Sequence, residues 1–116
     1  MDIKTRLSRA LDYSNAEFSV EEYLERIKKK EIHLLEIATC LVLFEVNQYP
    51  GKRVLTVLAL EGESFNKNGP EVIDVMKKLA ATLNCSELVC YGRKGWERVL
   101  RPYGAVHQYT VMKLEL

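Results

Sequence analysis

Residues 53–91, which read RVLTVLALEGESFNKNGPEVIDVMKKLAATLNCSELVCY, decide the fold. The apolar and β-branched run from Arg53 to Leu60 predicts a strand, and Glu87 to Tyr91 predicts a second, shorter one. Between them, a helix is predicted to begin at Pro70, because proline is favoured at the first helical position. Its apolar stripe consists of Val72, Met76, Leu79 and Leu83, and the helix is predicted to end near Asn84. A strand, a crossover helix and another strand are typical of an α/β sheet.

Further strands are predicted before this unit. Ile32 to Ala38 and Thr39 to Val46 are rich in apolar and β-branched residues, which predicts either two strands or one long bent strand. Pro50 and Gly51 suit the two central positions of a type II turn. Arg53 to Leu60 would then return antiparallel and complete a hairpin.

Two short helices are predicted ahead of the strands. In the first, Ile3, Leu7 and Leu11 recur at helical spacing after Asp2. Ahead of the second, Ser19 and Glu22 match the S-x-x-E pattern of a capping box. The apolar residues of this second helix are Val20, Tyr23, Leu24 and Ile27.

A fourth helix and a last strand complete the prediction. The helix presents Trp96, Val99, Leu100 and Tyr103 on one face and ends at Pro102-Tyr103-Gly104. Val106 to Leu116 alternates, which predicts a strand with Met112, Leu114 and Leu116 facing the core. The order α-α-β-β-β-α-β-α-β predicts an α/β (α+β) fold, a mixed sheet with helices on both faces. We expect one domain over residues 1–116, with a helical part at 1–30 and the sheet with two crossover helices at 31–116.

Composition excludes several classes of function. The chain has 116 residues, which suits one domain, and its net charge of +1 gives no general attraction to nucleic acid or membranes. The apolar stretch from Ile37 to Phe44 is too short to span a bilayer, and the N-terminus lacks a secretory signal pattern. The three cysteines form no C-x-x-C pair, and with two histidines they offer no zinc-ligand spacing. We therefore expect a reducing compartment and no bound metal.

The order of elements from Ser19 to Leu116 resembles the C-terminal two-thirds of the GNAT N-acetyltransferase fold. More narrowly, Tyr91 to Leu100, which reads YGRKGWERVL, is similar to the G-R-x-G-W-x-R-x-L segment of small GNAT-like proteins encoded by tailed bacteriophages. Tyr103-Gly104 and Lys113-Leu114 extend this similarity. The resemblance implies a GNAT-like fold and a phage-encoded protein.

The resemblance also implies where a cofactor would bind. Acetyltransferases of this family hold the pyrophosphate of acetyl-CoA in an R/Q-x-x-G-x-G/A loop after the fourth strand, where backbone N–H groups point at the anion. The corresponding stretch, residues 61–71, lacks this pattern. Pro70 lacks an N–H donor, and Glu61, Glu63 and Glu71 add negative charge. We therefore expect no cofactor to bind.

The family's general acid is also displaced. It is a tyrosine four residues before a glycine in the fourth helix, and Leu100 stands at that distance from Gly104. Tyr103 is almost a full helical turn away. Should a cofactor bind after all, Glu61 and Glu63 are the weak candidates for a general base, and Tyr103 for the acid.

A basic segment surrounds the single tryptophan. The candidates for contact with an anion or an acidic partner are Arg93, Lys94, Gly95, Trp96, Arg98 and Arg101. Alternatively, Trp96 packs in the core and the basic side chains form a solvated helix face. Residues 92–95 also match the G-x-x-G loop of KH RNA-binding domains. In KH domains that loop joins two helices, however, whereas here it follows a predicted strand.

Together these patterns predict a non-catalytic, GNAT-like phage protein that acts through protein–protein contacts. It would be a virion component or a host-directed inhibitor, in the host cytoplasm or the virion, with a phage or host protein or a second copy as partner. The alternative is a small acyl-CoA-dependent N-acetyltransferase that uses acetyl-CoA through an atypical loop. RNA binding through residues 92–95 is a third interpretation. No membrane partner is expected.

Overall fold

Four strands form one sheet in the order β1-β2-β3-β4. The computed structural model describes residues 2–11, 18–62, 65–91, 95–108 and 110–116, without the side chains of 65, 66 and 95. The strands are β1 His33–Ile37, β2 Cys40–Gln48, β3 Arg53–Glu61 and β4 Glu87–Cys90. The helices are α1 Ile3–Leu11, α2 Val20–Lys28, α3 Phe65–Thr82 and α4 Gly95–Leu100, and a 3₁₀ turn follows at Arg101–Tyr103. The strands from β1 to β3 pair antiparallel, and β3 pairs with β4 in parallel, which confirms the mixed α/β sheet.

A tight turn separates β1 from β2, so the alternative of one long bent strand is wrong. Ile37 pairs with Cys40, and the two residues between them, Ala38 and Thr39, have φ of 48° and 70°. Positive φ at both central positions is typical of a type I′ hairpin turn, which normally contains Asn and Gly. Here both turn carbonyls accept side-chain hydrogen bonds, Ala38 from Asn68 and Thr39 from Arg6. These bonds from α1 and α3 hold a turn whose residues do not favour it.

The hairpin between β2 and β3 forms as predicted, but its turn is of another type. The Tyr49 N–H donates to the Lys52 carbonyl over 2.8 Å and closes the loop. Gly51 does not have the positive φ that a type II turn requires. Proline also suits the second position of a type I turn, so Pro50 could not decide between the types.

Helices cover both faces of the sheet, as the element order predicts. On one face, α3 and α4 pack against side chains of all four strands. That cluster is built around Ile37, Cys40, Val42, Phe44, Leu55, Val57, Val72, Met76 and Ala80. On the other face, α1 and α2 pack against β1, β2 and the end of β3. The second cluster contains Leu7, Tyr23, Ile32 and Leu43. Alternation along β2 sends Val42 to the first cluster and Leu43 to the second.

A β-bulge interrupts the pairing of β2 and β3. Phe44 pairs with Val57, whereas its neighbour Leu43 pairs with Ala59, so Leu58 is an extra residue in β3. The parallel pairing of β3 with β4 ends at the same level, at Val57 and Cys90. Beyond that level β3 continues to Glu61 without β4 beside it. We call the space beside this end of β3, beyond Cys90 of β4, the gap.

Helix α3 begins at Phe65 and not at Pro70 as predicted. Pro70 therefore lies inside the helix, where it removes one backbone hydrogen bond. The hydrogen bond from Asn68 to the Ala38 carbonyl fixes the early turns of the helix against the hairpin. The predicted end near Asn84 is confirmed, because Asn84 has φ of 61° and Cys85 donates back to the Ala80 carbonyl. This is the Schellman arrangement with asparagine in the left-handed position.

The C-terminal part of the chain differs most from the prediction. The fourth helix is split into α4 and the 3₁₀ turn, which contains Pro102 and ends at Gly104 with φ of 91°. The described residues of 105–116 form no strand, and Met112, Leu114 and Leu116 are exposed instead of facing the core. Alternation predicts which side chains share a face, but a strand also needs a neighbouring strand to pair with. None of the described residues pairs with this segment.

Candidate functional site

The gap is where a ligand-binding site is expected in this fold. Ligands of open α/β sheets bind beyond the carboxyl ends of parallel strands. Here those ends are Glu61 of β3 and Cys90 of β4. The Tyr91 N–H donates to the Val57 carbonyl over 3.3 Å, just past the last paired residue of β4.

Glu61, the candidate base, is held in an ion-pair network. One carboxylate oxygen accepts a hydrogen bond from Nε of Arg6 over 2.7 Å, and the other lies 3.9 Å from Arg9. Nη1 of Arg6 donates to Glu36 over 3.0 Å. The side chains of Arg6 and Glu61 are only 17% and 12% exposed, so water screens this pair little. The hydrogen bond to Glu61 raises the pKa of Arg6, with a smaller contribution from Glu36. The contacts of Glu61 are therefore structural ones, between α1 and β3.

Gly62 follows Glu61 and lies directly against β2. A Cβ built on Gly62 would lie 2.6 Å from Sγ of Cys40 and 3.1 Å from its Cα. Only glycine allows the chain to leave β3 this close to another strand. Burial raises the pKa of the Cys40 thiol, which keeps it neutral at physiological pH. Glu63, the second candidate base, lies outside the described residues.

The described residues around the gap do not fit a pyrophosphate. Glu61 places a carboxylate at the end of β3, and Gly62 is packed against Cys40. Within α3, Pro70 has no N–H to offer and Glu71 is exposed. A phosphate-binding loop of this fold needs free backbone N–H groups and a positive potential at this point. The negative charge predicted from the sequence is present at Glu61 and Glu71, although Arg6 and Arg9 compensate it at Glu61.

The α4 segment packs against the core through its apolar face. Trp96, Val99 and Leu100 contact the cluster on the α3 side of the sheet. This placement of Trp96 is the one that the core interpretation predicts. Leu100, at the family's acid position, is part of that contact. Tyr103 is half-buried in the 3₁₀ turn.

The basic residues of α4 and of the 3₁₀ turn that follows it are turned to the solvent. Arg98 and Arg101 are exposed, and Arg101 pairs with Glu97 over 3.3 Å. Arg93 and Lys94 lie outside the described residues, and for Gly95 only the backbone is described. The strand predicted before residues 92–95 is present as β4. The loop therefore joins a strand to a helix, unlike the helix-to-helix G-x-x-G loop of KH domains.

A groove that was not predicted from the sequence lies on the face of β3 and β4 that is turned away from α3. It has a volume of about 160 Å³ and is lined by Tyr49, Lys52, Val54, Thr56, Glu87, Val89, Tyr91 and Gln108. Lys52 and Glu87 form an ion pair of 2.9 Å across it. The Thr56 hydroxyl donates to Oδ1 of Asn47 over 2.7 Å. The signal in the sequence was the alternation of Val54 and Thr56 with Leu55 and Val57, which sends the first pair to this face.

Two further functions find no support in the described part of the chain. No cluster of three or more histidine, cysteine or acidic side chains within it could hold a metal ion. None of its helices has the length and apolar character needed to cross a bilayer.

The architecture is that of the GNAT acetyltransferases. Three solved structures illustrate the match. An acetyltransferase from Trypanosoma brucei has a TM-score of 0.61 at 11% identity, over 97% of this chain and 94% of that one. Ribosomal-protein-alanine N-acetyltransferase from Brucella melitensis has 0.64 at 16% identity, over 97% and 93%. A GNAT family acetyltransferase from Staphylococcus aureus has 0.61 at 15% identity, over 97% and 88%.

These comparisons confirm the predicted GNAT-like fold. At such low identities they establish the fold and not the activity, because one fold supports many functions. No protein-family model matches the sequence, and no curated sequence is significantly similar to it.

Proposed function

We propose that this chain is a non-catalytic protein of GNAT-like fold that acts through contacts with another protein. The observation that carries the proposal is the ion-pair network of Glu61. A general base must accept a proton from a substrate within hydrogen-bond reach. The carboxylate of Glu61 instead accepts a hydrogen bond from Arg6 through one oxygen, and its other oxygen lies 3.9 Å from Arg9.

The described residues also lack the family's general acid and the pattern of its pyrophosphate site. The position of the family's general acid is held by Leu100, which packs on the core. The pyrophosphate site lacks its pattern, and the described residues there carry carboxylates. The described part of the chain thus supplies none of these three parts, which supports a scaffold kept without the chemistry.

The surface offered to a partner is the basic side of α4. Arg98 and Arg101 are exposed there, and Arg93 and Lys94 precede them in the sequence. Arginine is suited to acidic partners because its guanidinium pairs with carboxylates in a bidentate manner. From the similarity of residues 91–100 to phage proteins, we propose a phage-encoded protein with an acidic phage or host protein as partner. It would act in the virion or the host cytoplasm.

A second candidate is a small N-acetyltransferase that uses acetyl-CoA. The bulge at Leu58 and the end of the pairing with β4 at Val57 favour it, because they leave the carboxyl end of β3 without a neighbouring residue of β4. The chains with this fold described above are named as acetyltransferases. In this case Glu61, Glu63 and Tyr103 are the residues to test for a catalytic role.

Thermal unfolding with and without millimolar acetyl-CoA separates the two candidates. A ligand at about 100 times its Kd adds about 2.7 kcal/mol to stability, which corresponds to a rise in Tm of several degrees. We expect no rise. A rise with acetyl-CoA that a similar concentration of ATP does not reproduce would contradict the proposal and favour the enzyme.

Partner binding is tested with paired charge variants. We expect Arg98→Glu/Arg101→Glu to abolish binding of a captured partner while leaving Tm close to that of the wild type. Lys77→Glu/Lys78→Glu on α3 makes the same change in net charge and serves as the control. Equal loss in both variants would show that binding follows net charge and not the α4 surface.

A further inference from the structure

The C-terminal segment, residues 110–116, carries a row of exposed apolar side chains. Met112 is 88% exposed, Leu114 83% and Leu116 fully exposed, and Val111 before them is 66% exposed. Isolated exposed apolar residues are ordinary, but Met112, Leu114 and Leu116 alternate and would lie on one side of a strand. An element that covers them must be able to bury a row of alternating side chains.

The chain's own sheet provides a short template for this segment. β4 has four residues, whereas the segment has seven, so β4 could pair with only part of it. Gln108, just before the segment, already lines the groove on the face of β3 and β4. The apolar residues that follow it remain exposed.

The charges of the segment identify a better partner, which is the same segment of a second copy. Lys113 and Glu115 lie on one side and pair over 3.0 Å. In an antiparallel pair centred on Leu114, Lys113 faces Glu115 of the second copy, and the reverse contact repeats it. The other side then pairs Met112 with Leu116 and Leu114 with itself. Opposite charges and apolar side chains directly across an antiparallel pair both stabilise it.

Other registers of the same pairing are less favourable. An antiparallel pair centred on Lys113 places two lysines opposite each other, and one centred on Glu115 does the same with two glutamates. Like charges directly opposite destabilise a strand pair. Of the registers centred on Lys113, Leu114 and Glu115, only the one centred on Leu114 places opposite charges across the pair.

We propose that two copies of this chain associate through their C-terminal segments, paired antiparallel about Leu114 in a twofold-symmetric interface. The same patch serves both copies, as a twofold interface requires. The contact is small, so we expect a weak dimer that depends on concentration. The proposal does not depend on whether acetyl-CoA binds.

Sedimentation equilibrium on the full chain tests the pairing over concentrations from about 10 μM to about 1 mM, the range of weak interfaces. We expect the mass to rise from 13.4 kDa towards twice that value. Lys113→Glu places a glutamate opposite Glu115 of the other copy at both symmetry-related contacts. This repulsion should raise the Kd of the dimer about tenfold or more. The charge exchange Lys113→Glu/Glu115→Lys restores both contacts and should restore the dimer.

A matched control separates this contact from a general effect of charge. Lys78→Glu on α3 makes the same change in net charge at an exposed site and should leave the Kd unchanged. The proposal is overturned if the chain stays at 13.4 kDa throughout, if Lys78→Glu weakens the dimer equally, or if the charge exchange fails to restore it. Protection of amides 110–116 from hydrogen exchange in a monomer would also overturn it, because the segment would then pair within its own chain.

Discussion

Arg6 in α1 and Glu61 at the end of β3 lie 2.7 Å apart and are both largely buried. The same guanidinium also donates to Glu36 in β1 and to the Thr39 carbonyl in the following turn. The side chain of Arg6 thus joins α1 to β3, to β1 and to the turn that leads from β1 into β2. The pair is separated by 55 residues in sequence, so no local pattern reveals it.

Loss of Arg6 should therefore destabilise the whole domain. We expect Arg6→Met to lower the free energy of unfolding by about 2–4 kcal/mol, because the carboxylate of Glu61, only 12% exposed, would lose its hydrogen-bond donor. Urea unfolding measures the change. Lys78→Met removes an exposed pair with Asp74 and should change stability by about 0.5 kcal/mol or less. Equal effects of the two substitutions would contradict a structural role for Arg6.

Gly62 should not tolerate a side chain. In Gly62→Ala, the new methyl group would overlap Cys40 Sγ and approach the Cys40 backbone, so we expect a loss of about 1–3 kcal/mol. Gly51→Ala is the matched control, since no atom lies within 4 Å of its Cβ position and its φ is not positive. That substitution should be neutral or stabilising by up to about 1 kcal/mol. Thermal unfolding of both variants decides the point.

The turn between β1 and β2 is a place where the protein can be stabilised. Ala38→Asn/Thr39→Gly installs the residue pair that type I′ turns favour. A β-branched residue with φ of 70° costs about 1–2 kcal/mol, and we expect the double variant to regain about 1 kcal/mol. A fall in Tm would indicate that the side chains of Ala38 and Thr39 contribute contacts worth more than the strain.

Substitutions at Trp96 test whether this side chain stabilises the core or binds a partner. It is half-buried against the core, so Trp96→Ala should cost about 2–4 kcal/mol, somewhat less than for a fully buried aromatic residue. Trp96→Phe should retain most of that stability. If unfolding is nearly unchanged in Trp96→Ala while partner binding is lost, Trp96 is an interface anchor instead.

The capping box of α2 should give a pH-dependent contribution to stability. The Ser19 N–H donates to Glu22 over 3.0 Å and lowers the pKa of that carboxyl below its ordinary value. A lowered pKa in the folded state means that the contribution is present above about pH 4.5 and is lost as the pH falls below it. Glu22→Gln should therefore be less stable than the wild type at pH 7, and the difference should shrink as the pH falls through the lowered pKa of Glu22. A difference that stays constant with pH would contradict this.

Much of the fold was predictable because it depends on local patterns. The capping box at Ser19, the hairpin around Pro50 and the left-handed end of α3 at Asn84 all follow from residues close in sequence. The start of α3 was not predictable in this way. Proline is favoured at the first position of a helix, whereas Pro70 lies inside this one. The strand predicted at 106–116 failed for a different reason, since alternation cannot supply a neighbouring strand.

The candidate site was harder to predict than the fold. The sequence identified Glu61 as a carboxylate at the end of a strand, but only the structure shows that Arg6 reaches it. Likewise no pattern in the sequence indicates that Gly62 packs against Cys40. Both contacts join residues more than 20 positions apart, and spacing within one element carries no information about them.

The bulge at Leu58 changes the parity of β3. Before it, the odd-numbered Leu55 and Val57 face α3, and after it the even-numbered Leu60 does. Glu61 consequently points towards α1 and Arg6. Strict alternation from Val57 would place position 61 on the side of α3, so the extra residue is what brings Glu61 to Arg6. Deleting Leu58 would remove the bulge and shift Leu60 and Glu61 by one position, so both side chains would keep their faces.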